Sequence, residues 1–212
     1  MPDPRRNLAI LAGLAAPVVS WGLSLVIIVA WPGYDPVSQS ISQLANAPLG
    51  WLQTVAFVIG GLLGVAWAFG LSSVLGATSR QRAIVRGLLL LQAVLSFGFA
   101  VLPTDPEGVT RTTVGALHLL DFYLYALTMP LTLLVLGLVM RRDAAWRSIA
   151  RPSLVAAALV LIATLLVPAT VDGPLSPWLG LLERLYVAIP SLWQVGVSLV
   201  ALRTLRGRPS GP

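Results

Sequence analysis

The chain has no cysteine, no lysine and one histidine, His118, among 212 residues, and only 10% of it is charged. Without cysteine, disulfides and thiolate chemistry are excluded. Catalytic zinc usually takes three protein ligands rich in histidine or cysteine, and this chain does not supply them. A soluble domain is about a quarter charged, so a water-exposed globular surface is excluded as well. The short alternating segments of a membrane β-barrel are also missing.

What is there is hydrocarbon: 57% of residues are hydrophobic and the mean hydropathy is +0.85. Six apolar runs lie at about 8–31, 51–75, 84–102, 113–140, 153–171 and 179–202. Each approaches or exceeds the roughly 20 residues that cross a bilayer core of about 30 Å as a helix. The expected fold is therefore all-α and integral to the membrane, a six-helix bundle forming a single transmembrane domain over 1–212. The first run follows Arg5 and Arg6 as a signal peptide would, but its apolar part is too long and no small-x-small site closes it. It reads as a retained helix.

Twelve of the fourteen arginines fall in the amino terminus (Arg5, Arg6), two alternate loops (Arg80, Arg82, Arg86; Arg141, Arg142, Arg147, Arg151) and the carboxyl tail (Arg203, Arg206, Arg208). This pattern places both termini in the cytoplasm of a multi-pass cell-membrane protein. The basic excess thus reports topology, not nucleic-acid binding. Six of the eight acids, Asp35, Asp105, Glu107, Asp121, Asp172 and Glu183, lie toward the outer face.

Pro130 and Pro190 fall inside the fourth and sixth helices, where a missing amide and a ring clash should kink them. Neighbouring helices must then satisfy the freed carbonyls. Gly60 and Gly64 form a small-xxx-small pair that predicts close packing of the second helix on a neighbour.

Gly50, Gly115 and Gly180 each open an outer-to-inner helix at a spacing of 65 residues, and three residues after each stands Gln53, His118 or Glu183. Pro103 and Pro168, Glu107-Gly108 and Asp172-Gly173, and Arg86 and Arg151 share that spacing. Either the chain is three repeated helical hairpins, or two bilayer-length helices simply recur at this period. A true repeat around a threefold axis would set Gln53, His118 and Glu183 at one depth, facing one another.

An ionisable group inside a membrane helix costs about 2.5 kcal/mol or more unless it faces the bundle interior, a partner or water. Asp121 lies three residues after His118, and Tyr125 continues the same face. A carboxylate so placed fixes the imidazole tautomer and makes an acid-base pair, or else serves as a packing hydrogen bond to His118 or Arg111. Glu183 and Arg184 are adjacent and point about 100° apart, so each needs a partner elsewhere. For Arg184 the candidates are Asp35, Asp105 and Asp172; Glu183 is left as an acid or as half of a buried salt bridge.

In the first outer loop Asp35 reads as an N-cap, with Ser38 and Ser42 at helical spacing in a short interfacial helix. A serine nucleophile there would have only His118 as base, and no Gly-x-Ser-x-Gly elbow supports it. A hard cation held by Asp35, Asp105, Asp121 and Glu183 is not demanded by any spacing. The aromatic residues of the outer half are interfacial belt and packing residues, or in part the walls of a pocket able to stabilise positive charge.

The candidate acid-base residues are thus Asp121, His118, Glu183, Asp105 and Asp35. Tyr34, Gln53, Phe122, Tyr125, Arg184, Tyr186 and Trp193 are the candidate substrate-binding residues, and no metal or cofactor is expected. The expected partners are membrane lipids and a hydrophobic small-molecule substrate; oligomeric state stays open.

The run from Asp35 through Ser38, Ser42, Leu44, Ala45 and Asn46, the Pro103-Thr104-Asp105 loop, Gly115 with His118, and Glu183-Arg184 together resemble the six-helix prokaryotic membrane family DUF998. The resemblance spans nearly the whole chain. It implies six membrane helices with characteristic polar residues toward the outer face, and no assigned reaction. Small integral-membrane terpene cyclases are similar only in size and chemistry. Two readings remain: an intramembrane enzyme doing acid-base chemistry on a lipid or isoprenoid, by cyclisation or hydrolysis, and a non-catalytic lipid-binding or scaffold protein with a structural polar cluster.

Overall fold

The computed structural model describes residues 4–171 and 173–206, and these contain helices and no strand. Six long helices follow one another: α1 (Pro4–Ala30), α2 (Trp51–Val74), α3 (Ser79–Val101), α4 (Thr113–Met140), α5 (Arg147–Val171) and α6 (Leu179–Arg206). All six are long and apolar enough to cross a membrane, which makes this a multi-pass membrane protein. Helices α1, α3 and α5 begin four to six residues before the apolar runs, and α6 ends four residues after its run. The physical reason is that apolarity marks only the bilayer-embedded part. Arginine-bearing turns continue each helix beyond it, since a long basic side chain can cover apolar surface and still carry its charge toward water.

Consecutive helices pack side by side from α1 to α6, and α6 packs back on α1, closing a ring. Its outer surface exposes Leu8, Val29, Leu62, Leu165 and Leu192, the surface a hydrocarbon solvent requires. Inside, Trp67, Leu71, Leu133, Leu136 and Val197 belong to one continuous apolar core that reaches Trp146 at the arginine-rich end. Beneath the 32–50 loop at the opposite, arginine-poor end, Ile27, Tyr34 and Leu44 form a smaller cluster.

The carbonyl freed by one helix proline and the helix approach at the paired glycines follow the expectation. Pro130 deprives the Ala126 carbonyl of its helical donor, and the Thr164 hydroxyl of α5 fills that place at 2.8 Å. Gly60 and Gly64 face α3, where added methyl groups would meet Ser96 and Ala93 at 3.4 and 3.3 Å. The three evenly spaced glycines share a physical cause. Each lets a neighbouring loop come against a helix start: Ala45 at Gly50, Asp105 at Gly115, and the Pro36 and Gln39 carbonyls at Gly180. Contact is broadest between α1 and α2, as a hairpin would have it, but α2 with α3 and α4 with α5 also make broader contacts than α3 with α4 or α5 with α6, so packing does not single out the three hairpins. Asp172, one member of the proposed repeat, lies outside the described residues.

Candidate functional site: a roofed cavity at the arginine-poor end

The first loop does not form an α-helix. Asp35 caps a single turn, its carbonyl accepting from the Gln39 amide at 2.8 Å, its Oδ1 from the Val37 amide at 3.0 Å and its Oδ2 from the Ser38 hydroxyl at 2.6 Å. Those bonds hold its carboxyl below the usual carboxylate range, the Ser38 bond being the larger cause. A short 3₁₀ turn over Ser42–Asn46 follows, and it roofs the ring.

Polar bonds from four side chains fasten this roof. Arg184 of α6 donates to the Pro36 and Gln39 carbonyls at 2.8 and 3.0 Å, bonds the Tyr34 hydroxyl and lies over the Tyr34 ring. Among the described residues its partners are backbone carbonyls and the Tyr34 hydroxyl, with neither Asp35 nor Asp105 bonded to it; the third expected partner, Asp172, is outside the described residues. Burial raises the Tyr34 phenol above its ordinary pKa, with the Arg184 bond opposing. Glu183 turns the other way and its Oε2 accepts from the Ile41 amide at 2.6 Å. Gln43 donates to the Asp105 carbonyl at 2.7 Å, and Gln39 to Glu107 at 2.8 Å, tying the roof to the 103–112 loop. Asp105 in turn accepts from the Thr112 hydroxyl and amide at 2.7 and 2.8 Å. Those bonds hold its carboxyl below the usual range, the hydroxyl first.

Under the roof lies a cavity of about 200 Å³ bounded by α1, α2, α3, α4 and α6. Of the predicted residues, Gln53, Phe122, Tyr125, Glu183, Tyr186 and Trp193 meet on its wall. Tyr125 and Tyr186 stand 6.4 Å apart, edge to face, and Phe122 packs on Tyr186 at the same separation. The Trp193 indole is pinned from behind by Ser153 of α5 at 2.8 Å. Tyr34, Asp35, Asp105 and Arg184 are not on the wall; they hold the roof and the adjoining loop.

His118 reaches the cavity through Ser42. Its Nδ1 lies 2.6 Å from the Leu102 carbonyl and its Nε2 lies 3.1 Å from Ser42 Oγ, which is itself on the wall. A carbonyl only accepts, so Nδ1 carries the proton. In the neutral ring Nε2 is then the acceptor for the Ser42 hydroxyl. The carbonyl, not Asp121, fixes the tautomer. Asp121 shares the buried face but packs against Gly98 of α3, with Oδ2 left without a partner and away from the wall.

Sequence reasoning passed over Ser42 as a site residue and missed Gln92, Trp21 and Trp67, all on the wall. Gln92 had a signal, since an amide in mid-helix is costly to bury unbonded: about 2–7 kcal/mol by transfer measures. Among the described residues, no three histidine or acidic side chains converge as a metal site would need.

Neither a curated protein nor a solved structure matches the chain. The sequence profile of the family described as protein of unknown function (DUF998) does match, over residues 14–200, from within α1 to near the end of α6. That span includes the roof, both adjoining loops and every wall residue, and this chain belongs to the DUF998 family.

Proposed function

We propose that the chain is an intramembrane hydrolase or acyl-transfer enzyme that acts on a lipid in the outer leaflet of the cell membrane, with Ser42 as nucleophile and His118 as base. The observation that carries this reading is the Ser42–His118–Leu102 chain, in which a hydroxyl on the cavity wall meets an imidazole whose far nitrogen is already fixed. Nucleophile, base and orienting group are the three parts that activate a serine. Here a carbonyl takes the third role, stabilising the imidazolium that forms.

In the first step Ser42 Oγ attacks an acyl carbonyl while its proton passes to His118 Nε2. The proton then goes to the leaving alcohol, and the acyl group stays on Ser42 until water or a second alcohol removes it. Glu183 is a positioning residue, because its carboxyl holds the amide of Ile41, the residue before Ser42. Acid-initiated isoprenoid cyclisation draws support from Glu183 and the aromatic wall. Against it stand Ser20, Ser24, Ser96 and Ser191 on the same wall, whose oxygens would trap a carbocation.

The test is labelling of the purified protein by a fluorophosphonate, read by peptide mass spectrometry, beside lipid profiles of cells making wild type, Ser42→Ala or His118→Gln. Labelling at Ser42 that falls at least about a hundredfold in His118→Gln, with a lipid changed only by wild type, is expected. Unlabelled Ser42 and identical lipid profiles, in proteins of equal melting temperature, would overturn the reading.

A further inference from the structure

We infer that the cavity recognises an uncharged lipid carrying one carbonyl and one hydroxyl, through Gln53 and Gln92; this deepens the reading of the same cavity as a lipid-hydrolase site. Both glutamines lie within membrane helices and on the wall, Gln53 at 0% and Gln92 at 9% exposure. Each spends only half of its amide on the protein. Gln92 Nε2 donates to the Thr128 hydroxyl at 2.8 Å, whose own proton goes to the Leu124 carbonyl at 2.7 Å. That commitment fixes which end of the Gln92 amide is nitrogen, and it leaves Oε1 as a buried acceptor with no partner. Gln53 Oε1 takes the Ser24 hydroxyl at 3.2 Å, leaving Nε2 as a buried donor with no partner.

The two lie at different depths. Gln53 is two residues into α2, about 3 Å below its start, whereas Gln92 is nine residues from the end of α3, about 14 Å below. A ligand satisfying both carries a carbonyl near the mouth, at the level of Ser42 and Glu183, and a hydroxyl deeper. It carries no net charge. No arginine lines the cavity, and Arg184 is turned away onto loop carbonyls, so a phosphate would bring its charge to a wall that offers no cation and one carboxyl, Glu183. A glycerolipid with a free hydroxyl has the required groups; a phospholipid does not fit.

Trp21, Trp67 and Trp193 line the cavity and report occupancy through fluorescence. The probes are a monoacylglycerol with a dibrominated chain and a phosphatidylglycerol with the same chains, titrated into the detergent-purified full chain. In the Ser42→Ala chain, which cannot turn the probe over, the monoacylglycerol is expected to quench saturably, and at least tenfold more weakly once Gln92→Leu or Gln53→Met is added. Phosphatidylglycerol should neither match nor displace it. Gln92→Leu removes the partnerless Oε1 together with the Nε2 bond to Thr128, whose hydroxyl keeps its own bond to the Leu124 carbonyl, so its melting temperature should change little while binding falls; a purely structural glutamine would do the reverse. Equal quenching by the two lipids, quenching by neither, or glutamine variants that bind as Ser42→Ala alone does would overturn the inference. Binding as described with Ser42 unlabelled would sink the hydrolase and keep the subsite; labelled Ser42 without glutamine dependence would do the opposite.

Discussion

The two ends of this bundle are held by different forces. At the arginine-rich end the connections are short, and α3 begins with a capping box in which Thr78 and Gln81 satisfy each other's amides. Trp146 sits there wholly buried in the main core with Val74, Val85 and Met140. At the arginine-poor end a long loop is held down mainly by hydrogen bonds from Arg184, Glu183, Gln43 and Gln39, over a small apolar cluster. Apolar packing tolerates exchange among hydrocarbons of similar size. Directional polar bonds fix atoms, and fixed atoms are what a reactive or recognising wall needs. Precision is concentrated at one end and bulk stability at the other.

The largest effect is expected where packing dominates. Trp146→Ala would leave a hole that lipid cannot enter, and though the transfer part of the loss is smaller in a hydrocarbon solvent, the cavity part remains. It should cost about 3 kcal/mol, or about 10 °C in melting temperature for a chain of this length. The comparison breaks if calorimetry or tryptophan-monitored melting in detergent shows a smaller drop for Trp146→Ala than for Gly180→Ala.

Gly180→Ala tests the other end. A methyl group there would press on the carbonyls of Gln39 and Pro36, the latter at 2.6 Å, and backbone cannot rotate aside as a side chain can. Those carbonyls also accept from Arg184, so displacing them strains the whole roof. About 2 kcal/mol of destabilisation is expected. Gly87 provides the contrast: it lies in α3 toward the arginine-rich end, exposed and with nothing near its missing methyl. Gly87→Ala should stabilise by about 0.5–1 kcal/mol through helix propensity alone. Equal and same-signed shifts in the two glycine variants would remove the distinction between a fixed roof and a tolerant shaft.

How much of this was legible varied with the kind of force. Helix number followed from run length, and the tolerance of Pro130 could be anticipated in kind, though not that Thr164 would supply the donor. The glycine spacing was visible, and its cause, loop atoms resting on helix starts, needed coordinates. The carbonyl partners of Arg184 were not legible because carboxylates stand out in a sequence, whereas any residue can offer a carbonyl. Ser42 and His118 are 76 residues apart, and nothing local to either announces the other. Gln92 was overlooked because attention went to charge, yet an uncharged amide inside a membrane helix asks the same question of its surroundings.

The smallest expected effect is a pH dependence at the edge of the roof. Asp105 binds the Thr112 hydroxyl and amide, and its carboxyl pKa is lowered in the folded chain. A depressed carboxylate contributes stability that is fully present above the unfolded pKa, about 3.9, and lost as pH falls through the folded value. The melting temperature should therefore decline below about pH 4, and Asp105→Asn should flatten that decline while lowering the plateau at neutral pH. Because Thr112 caps α4 through the Gly115 amide, loosening Asp105 reaches His118 one turn further on. An acid limb unchanged by Asp105→Asn would place the pH-sensitive contacts elsewhere and separate the roof's stability from this loop.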